Sequence, residues 1–302
     1  MSTTDAGYVR SVASMGTMVT VRVIGHGTSQ RARRERTQAV DRAIAWFARV
    51  EAVCSRFDAQ SELRRLSARI GDAVPVSAML FEAVQFALAV ADVTQGAFDP
   101  TVGHRMEAHG FNRAYQTGEV AASGIEAADD VSYRDVTLDA EARSITLHRP
   151  LVLDLGAVAK GLAVDMASRE LAPLADFLID AGGDVFVGGH NADGAPWSVG
   201  IRHPRDATQL LETVRLSDAA MCTSGDYERP GHIVQVNAGE TASAVASATV
   251  VAPSAMVADA LATAAFVLGP IDGIAMLEDH DVQGMLVTTT LDRFTTRGWT
   301  HD

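Results

Sequence analysis

The chain has 302 residues, 47% apolar and 21% charged, with a formal net charge of −13. That length and composition bury a full core, as one large domain or two closely joined lobes. The negative balance argues against general affinity for nucleic acid or anionic lipid, while leaving room for an anion site built locally from backbone amides and a cation.

Residues 1–14 read as a loose lead-in without an apolar signal core or membrane-spanning run. A cytoplasmic protein without stable membrane insertion is therefore expected. Met18 to Ile24 alternates and is rich in valine, which predicts a strand. Arg31 to Val53 carries Val40, Ile44 and Phe47 at helical spacing. Ser61 is placed to cap a short helix with Leu63 and Leu66, and Ser77 precedes a second apolar helix. That helix ends at Gly96, where Ala97, Phe98, Asp99 and Pro100 follow. Proline disfavours helical backbone at Asp99, whose carboxylate could cap the next turn or meet a ligand. Phe98 reads as core, with stacking on a flat ring as the alternative. Residues 104–130 predict a loop or short helical pieces, and Val131 to Leu138 with Ser144 to Leu147 predict a hairpin.

The stretch Leu151 to Asp165 reads as a short strand, a glycine-bearing turn and a helix. Amides at a helix start favour anions, and Lys160 adds a positive charge while Asp154 adds a carboxylate. A phosphate site with a metal nearby is one reading; ordinary turn glycines and a helix cap are the other. The sequence holds 24 arginines and this single lysine, which sharpens the first reading. Further on, Asp180 and Asp184 flank Gly182-Gly183 between two strand candidates, either as turn caps or where backbone approaches a ligand. Short strands are expected at Trp197 to Ile201, Leu211 to Leu216, Ala220 to Thr223 and 232–236. Val245 to Ala252 is a clearer strand. Pro253-Ser254 opens a small, apolar helix ended by Gly269-Pro270, and Gly284 to Thr288 contains a last strand.

There is no Gly-x-Gly-x-x-Gly after the first strand, no phosphate loop ending Gly-Lys-Ser and no Gly-x-Ser-x-Gly. Cys54 and Cys222 form no disulfide scaffold and read as buried thiols. His203, before a proline, reads as structural. Asp259 and Thr263 are four apart and share a polar face on the late helix. A carboxylate and a hydroxyl can serve a hard divalent cation, or can simply bond to a neighbouring loop and to the helix's own turn.

Seven segments together resemble the FAD:protein FMN transferase family, the ApbE-like flavin transferases. They are Met15-Gly16-Thr17; Phe57-Asp58 with Ser61-Glu62-Leu63; 96–103; 154–161; 180–184; 223–229; and 259–263. The resemblance implies an α+β molecule of mixed sheets packed with helices, related to the T-fold. Its expected extent is residues 15–290, with 291–302 a C-terminal tail. It also implies FAD as substrate, Mg²⁺ as metal and an acceptor protein as partner. By motif position, Asp259, Thr263 and the carbonyl of Ala157 match metal ligands, with the chain at Ala262 contributing. Met15, Ala97, Phe98, Asp99, Asp154, Lys160, Asp180 and Ile233 match FAD contacts. The family's base is a histidine or an aspartate near the metal; His232 and Asp259 are the matching residues.

The family reaction splits the FAD pyrophosphate, links FMN to a threonine or serine hydroxyl and releases AMP. The chain departs from the family where His-x-x-Asp-Pro is expected. Gln235-Val236 stand in place of the aspartate and proline, and the connection before His232 is shorter. That segment serves the flavin and acceptor side. The departure keeps two alternatives open: FAD hydrolysis to FMN and AMP, and a non-enzymatic FAD-binding or FAD-dependent role.

Overall fold

The alternating segments of the sequence meet in one large antiparallel sheet. The computed structural model describes residues 5–25, 27, 29–113, 118–225 and 244–299. In chain order its strands are β1 (Asp5–Ser14), β2 (Thr17–Gly25), β3 (Ala73–Pro75), β4 (Val136–Asp139), β5 (Ser144–Leu147), β6 (Phe177–Ala181) and β7 (Val185–Gly188). They continue with β8 (Trp197–His203), β9 (Asp206–Leu216), β10 (Ala219–Gly225), β11 (Val245–Ala252), β12 (Gln283–Thr288) and β13 (Arg293–Thr295). The helices are α1 (Gln30–Cys54), α2 (Glu62–Ser67), α3 (Ala78–Val93), α4 (Gly103–Ala108), α5 (Gly156–Leu171), α6 (Ala255–Leu268) and α7 (Pro270–Asp279). The main sheet runs β1-β2-β6-β7-β10-β11-β12-β13. A three-stranded sheet, β3-β5-β4, and the β8–β9 hairpin complete an α+β fold.

The two faces of the main sheet bury different cores. Val19, Val21 and Val23 of β2, Ala220 and Cys222 of β10, and Leu286 of β12 face the helices. Val185 and Val187 of β7, Met221, Met285 and Val287 face the opposite way, against Trp197, Val199 and Ile201 of the β8–β9 hairpin. Period-two alternation sends neighbouring residues of one strand to opposite cores. Helices start where serine is available: the hydroxyls of Ser29, Ser61, Ser77 and Ser254 each accept an amide of the first turn.

Three readings of the chain are corrected. Residues 5–14 are not a loose lead-in but strand β1, paired with β2 from Tyr8↔Val23 to Ser14↔Thr17. As an edge strand β1 exposes most of its residues, so it lacks the apolar alternation that marks an inner strand. The C-terminal tail likewise supplies β13, which covers the other edge by pairing with β12. Leu151, Val152 and Leu153 are buried without forming a sheet strand. Leu151 and Leu153 pack in the core, Val152 makes an isolated parallel bridge with Val102 and accepts from Gly103 N–H at 3.0 Å, and the next residue, Asp154, donates its N–H to Pro100 O at 2.7 Å. A short apolar run signals burial, and here a loop supplies the partner.

Candidate active site

The site is assembled where α5 and α6 cross. Gly161 lies at the closest approach: a Cβ there would stand 2.5 Å from Ala255 O and from Met256 Cα. One turn later Asp165 accepts from the amides of Ala255 at 2.7 Å and Met256 at 3.0 Å, and from Ser254 Oγ at 2.7 Å. A glycine that admits backbone and a carboxylate that caps the incoming helix therefore fix the start of α6 on α5. Asp259, one turn into α6, is thereby held beside the first turns of α5, next to the amide of Gly161. By helical geometry the carbonyl facing that amide is that of Ala157.

Lys160 projects from α5 between two buried carboxylates. Its Nζ donates directly to Asp184 Oδ2 and lies 3.7 Å from Asp259 Oδ2. Asp184 and Asp259 side chains are 2% and 6% exposed, whereas Lys160 keeps 30% of its side chain open. Among the described residues Asp259 Oδ2 has no hydrogen-bond partner, and its ion pair with Lys160 is a long one. Burial, reinforced by the charge of Asp184, pushes the Asp259 carboxyl up, while Lys160 and the Gly161 amide pull it back. Burial alone would lower the Lys160 ammonium, but Asp184 and Asp259 outweigh it and the net shift is upward. Lys160 is thus a fixed positive charge. Cys222, on β10, gives its thiol to Ala255 O at 3.5 Å, and burial with the two aspartates raises it well above an ordinary thiol. It is an inert core group rather than a nucleophile.

Thr263, the next turn of α6, shares a 2.9 Å hydrogen bond with Ser224 Oγ of β10. Asp259, Thr263 and the Ala157 carbonyl are hard oxygen donors of the kind a divalent cation takes, and the orphaned Asp259 oxygen is the buried polar atom such an ion would satisfy. The residues fit the implied metal. Ala262 is fully buried in the helix interior and offers only a backbone carbonyl, so Asp259 and Thr263 are the stronger donors of α6. Among the described residues no three His, Cys, Asp or Glu side chains cluster as a metal site.

The remaining sequence candidates surround this centre unevenly. Met15 and Gly16 form the tight β1–β2 turn with φ of 49° and 73°, and the Met15 backbone bonds to Glu51 near the end of α1. Asp154 precedes α5: its Oδ1 accepts from Gly156 N–H at 2.6 Å and its Oδ2 from Arg56 Nε at 2.5 Å. Asp180 accepts from Gly183 N–H at 3.1 Å and stabilises the β6–β7 turn that carries Asp184. Asp99 caps its own turn: it accepts from the Thr101 amide and hydroxyl and from the Tyr133 amide. Phe98 is core and Ala97 is half-buried. The expected strand at 232–236, His232 and Ile233 lie outside the described residues. Three pairings were absent from the sequence reading: Arg56 with Asp154, Asp184 with Lys160, and Ser224 with Thr263. Arginine and aspartate next to the conspicuous motifs were the only signal.

Comparison with known proteins agrees with this architecture. The chain matches the ApbE family over residues 15–286. The FAD:protein FMN transferase of Treponema pallidum (strain Nichols) is 33% identical, across 90% of this chain and 82% of the relative. That of Haemophilus influenzae is 29% identical, across 94% and 87%. Among solved structures, the ApbE protein of Thermotoga maritima superimposes with a TM-score of 0.83 at 27% identity, covering 96% of this chain and 97% of the other. The flavin transferase ApbE of Vibrio cholerae gives 0.81 at 26%, with the same coverage. With the match spanning nearly the whole sheet and every element of the α5–α6 crossing, the chain belongs to the ApbE family.

Proposed function

We propose that the protein is an FAD:protein FMN transferase that uses Mg²⁺, attaches FMN to a threonine or serine hydroxyl of an acceptor protein and releases AMP. The observation that carries this reading is the buried oxygen of Asp259 that accepts no hydrogen bond among the described residues, set 3.7 Å from Lys160 and one turn from Thr263, in a chain of the ApbE family. Asp259, Thr263 and the carbonyls of Ala157 and Ala262 would hold the cation. When bound it supplies charge compensation for the phosphate oxygens and the leaving group. Lys160, fixed in its protonated form and open on one side, orients the pyrophosphate by charge. The amides at the start of α5, beside Asp154, favour the same anion. Met15, Ala97, Phe98, Asp99, Asp154, Asp180 and Ile233 would shape the FAD pocket; Asp99 and Asp154 do so through the turns they tie. The acceptor hydroxyl oxygen forms the new bond to the FMN-side phosphorus, and the pyrophosphate bridge to AMP breaks. The hydroxyl proton passes to a base, which we assign to His232. Asp259 is the less suitable of the two candidates, because it cannot ligate the cation and take the proton with the same oxygen.

Purified protein incubated with FAD, Mg²⁺ and an acceptor domain should produce AMP as the acceptor gains the mass of one FMN. Asp259→Ala should abolish transfer while circular dichroism stays native. An unchanged rate in the folded variant would overturn the metal assignment. Gln235-Val236, standing where the family carries aspartate and proline, favours a second reading in which water replaces the acceptor. Free FMN and AMP without acceptor labelling would identify it, and intact bound FAD would point to a binding role instead.

A further inference from the structure

We propose that Asp184 is a positioning residue that keeps Lys160 off Asp259, so that Asp259 retains an oxygen for the divalent cation. This rests on the metal reading above. The observations are geometric. A single ammonium stands between two buried carboxylates, yet the sharing is unequal: Asp184 Oδ2 is in direct contact, whereas Asp259 Oδ2 is 3.7 Å away and unbonded. Lys160 could satisfy either carboxylate, since a four-carbon stem that is 30% exposed can swing. What decides between them is the rigidity of Asp184. It sits in a turn closed by Ala181 N–H to Asp184 O at 3.0 Å and Gly183 N–H to Asp180 Oδ1 at 3.1 Å. Gly182 in that turn has φ of 70° and abuts Thr17 of β2, so the turn is pinned against the neighbouring hairpin.

The charges point the same way. One ammonium and two carboxylates sum to a net charge of −1, which a divalent cation turns to +1 before an anionic substrate arrives. If Asp184 loses its charge, Asp259 becomes the only carboxylate in reach of Lys160. Coulomb attraction then draws the ammonium onto the oxygen the cation needs, and Lys160 competes with the metal. A role for Asp184 in folding alone would make no such link to Lys160.

The test is a double-mutant cycle read by Mn²⁺ binding, with Mn²⁺ alone as probe and the free ion counted by electron paramagnetic resonance. The 302-residue chain should bind one strong equivalent. Asp184→Asn should weaken binding about 10–100-fold, the usual effect of removing a group that orients a metal ligand. In a Lys160→Met background, Asp184→Asn should change nothing, and the double variant should bind as tightly as wild type. Wild-type affinity in D184N, or a double variant as weak as D184N, would overturn the proposal. Absence of any Mn²⁺ binding by wild type would overturn the metal reading itself, and this inference with it. If D184N does not fold, equal Mn²⁺ affinity in wild type and Asp184→Glu, which keeps the charge, supports the proposal; a loss in D184E equal to that of Asp259→Ala refutes it.

Discussion

Arg56 is 4% exposed, donates to Asp154 and to the carbonyl of Phe111 at 2.5 Å each, and lies 4.1 Å over the Phe57 ring. It joins the segment after α1 to the start of α5, the helix that carries Lys160. Removing one member of a buried ion pair strands the other in low dielectric, so Arg56→Met should cost about 3–5 kcal/mol. Chemical denaturation would measure this, and a loss below about 1 kcal/mol would place the pair with ordinary surface bridges. Cys54, in the last turn of α1, gives a pH prediction. Burial pushes its thiol from 9.0 up to about 12. The folded state holds the proton more tightly, so this contribution to stability is full below the unfolded value of 9.0 and is lost as pH rises toward about 12. Iodoacetamide at neutral pH should leave Cys54 unlabelled until denaturant opens the fold, as followed by mass spectrometry. Rapid labelling of the native protein would contradict its burial.

At the scale of elements, the proposed chemistry rests on the crossing of α5 and α6. Gly161→Ala places a methyl against the Ala255 carbonyl and the Met256 backbone, both at 2.5 Å, so the helices must separate. Overpacking of this kind costs about 1–3 kcal/mol. The larger effect should be on the site, because Asp259 and Thr263 travel with α6 while Lys160 stays on α5. Thermal melts should show a modest loss, and FMN transfer should fall far more than stability does. Proportionate losses would mean that the crossing serves stability alone. Much of this element was legible: helical periodicity marked α5 and α6, and Ser61, Ser77 and Ser254 announced their helices because capping is a local interaction. Asp259 and Thr263 were legible for the same reason, being one turn apart. What local spacing could not supply is the pairing of Lys160 with Asp184, 24 residues away, which depends on how the β6–β7 turn docks. Arg56 carries no local signal, since its partner Asp154 is 98 residues on. Strands β1 and β13 were missed because edges need little apolar alternation, and 151–153 was read as strand because a buried loop has the same composition.

At the scale of the molecule, one sheet divides two cores, and among the described residues Lys160, Asp259 and Thr263 sit on the helical side. The far core packs Trp197, Val199 and Ile201 of the β8–β9 hairpin on Val185, Val187 and Met221. Those strands also hold site residues: Asp184 directly precedes Val185, and Cys222 directly follows Met221. Alternation sends the apolar members to the far core and Cys222 to the near one, so the sheet backbone links them. Trp197 is buried, and its Nε1 donates to Gly188 O at 3.0 Å. Trp197→Ala should therefore cost about 3–5 kcal/mol of stability, through cavity formation and a stranded carbonyl. Its effect on FAD and Mn²⁺ affinity should be nil in the remaining folded protein, because sheet hydrogen bonds from β7 to β6 and β10 persist. Guanidinium unfolding paired with a titration of FAD fluorescence separates the two quantities. A drop in FAD affinity that tracks the stability loss would show that the hairpin core presses on the β6–β7 turn and sets the position of Asp184 through the sheet.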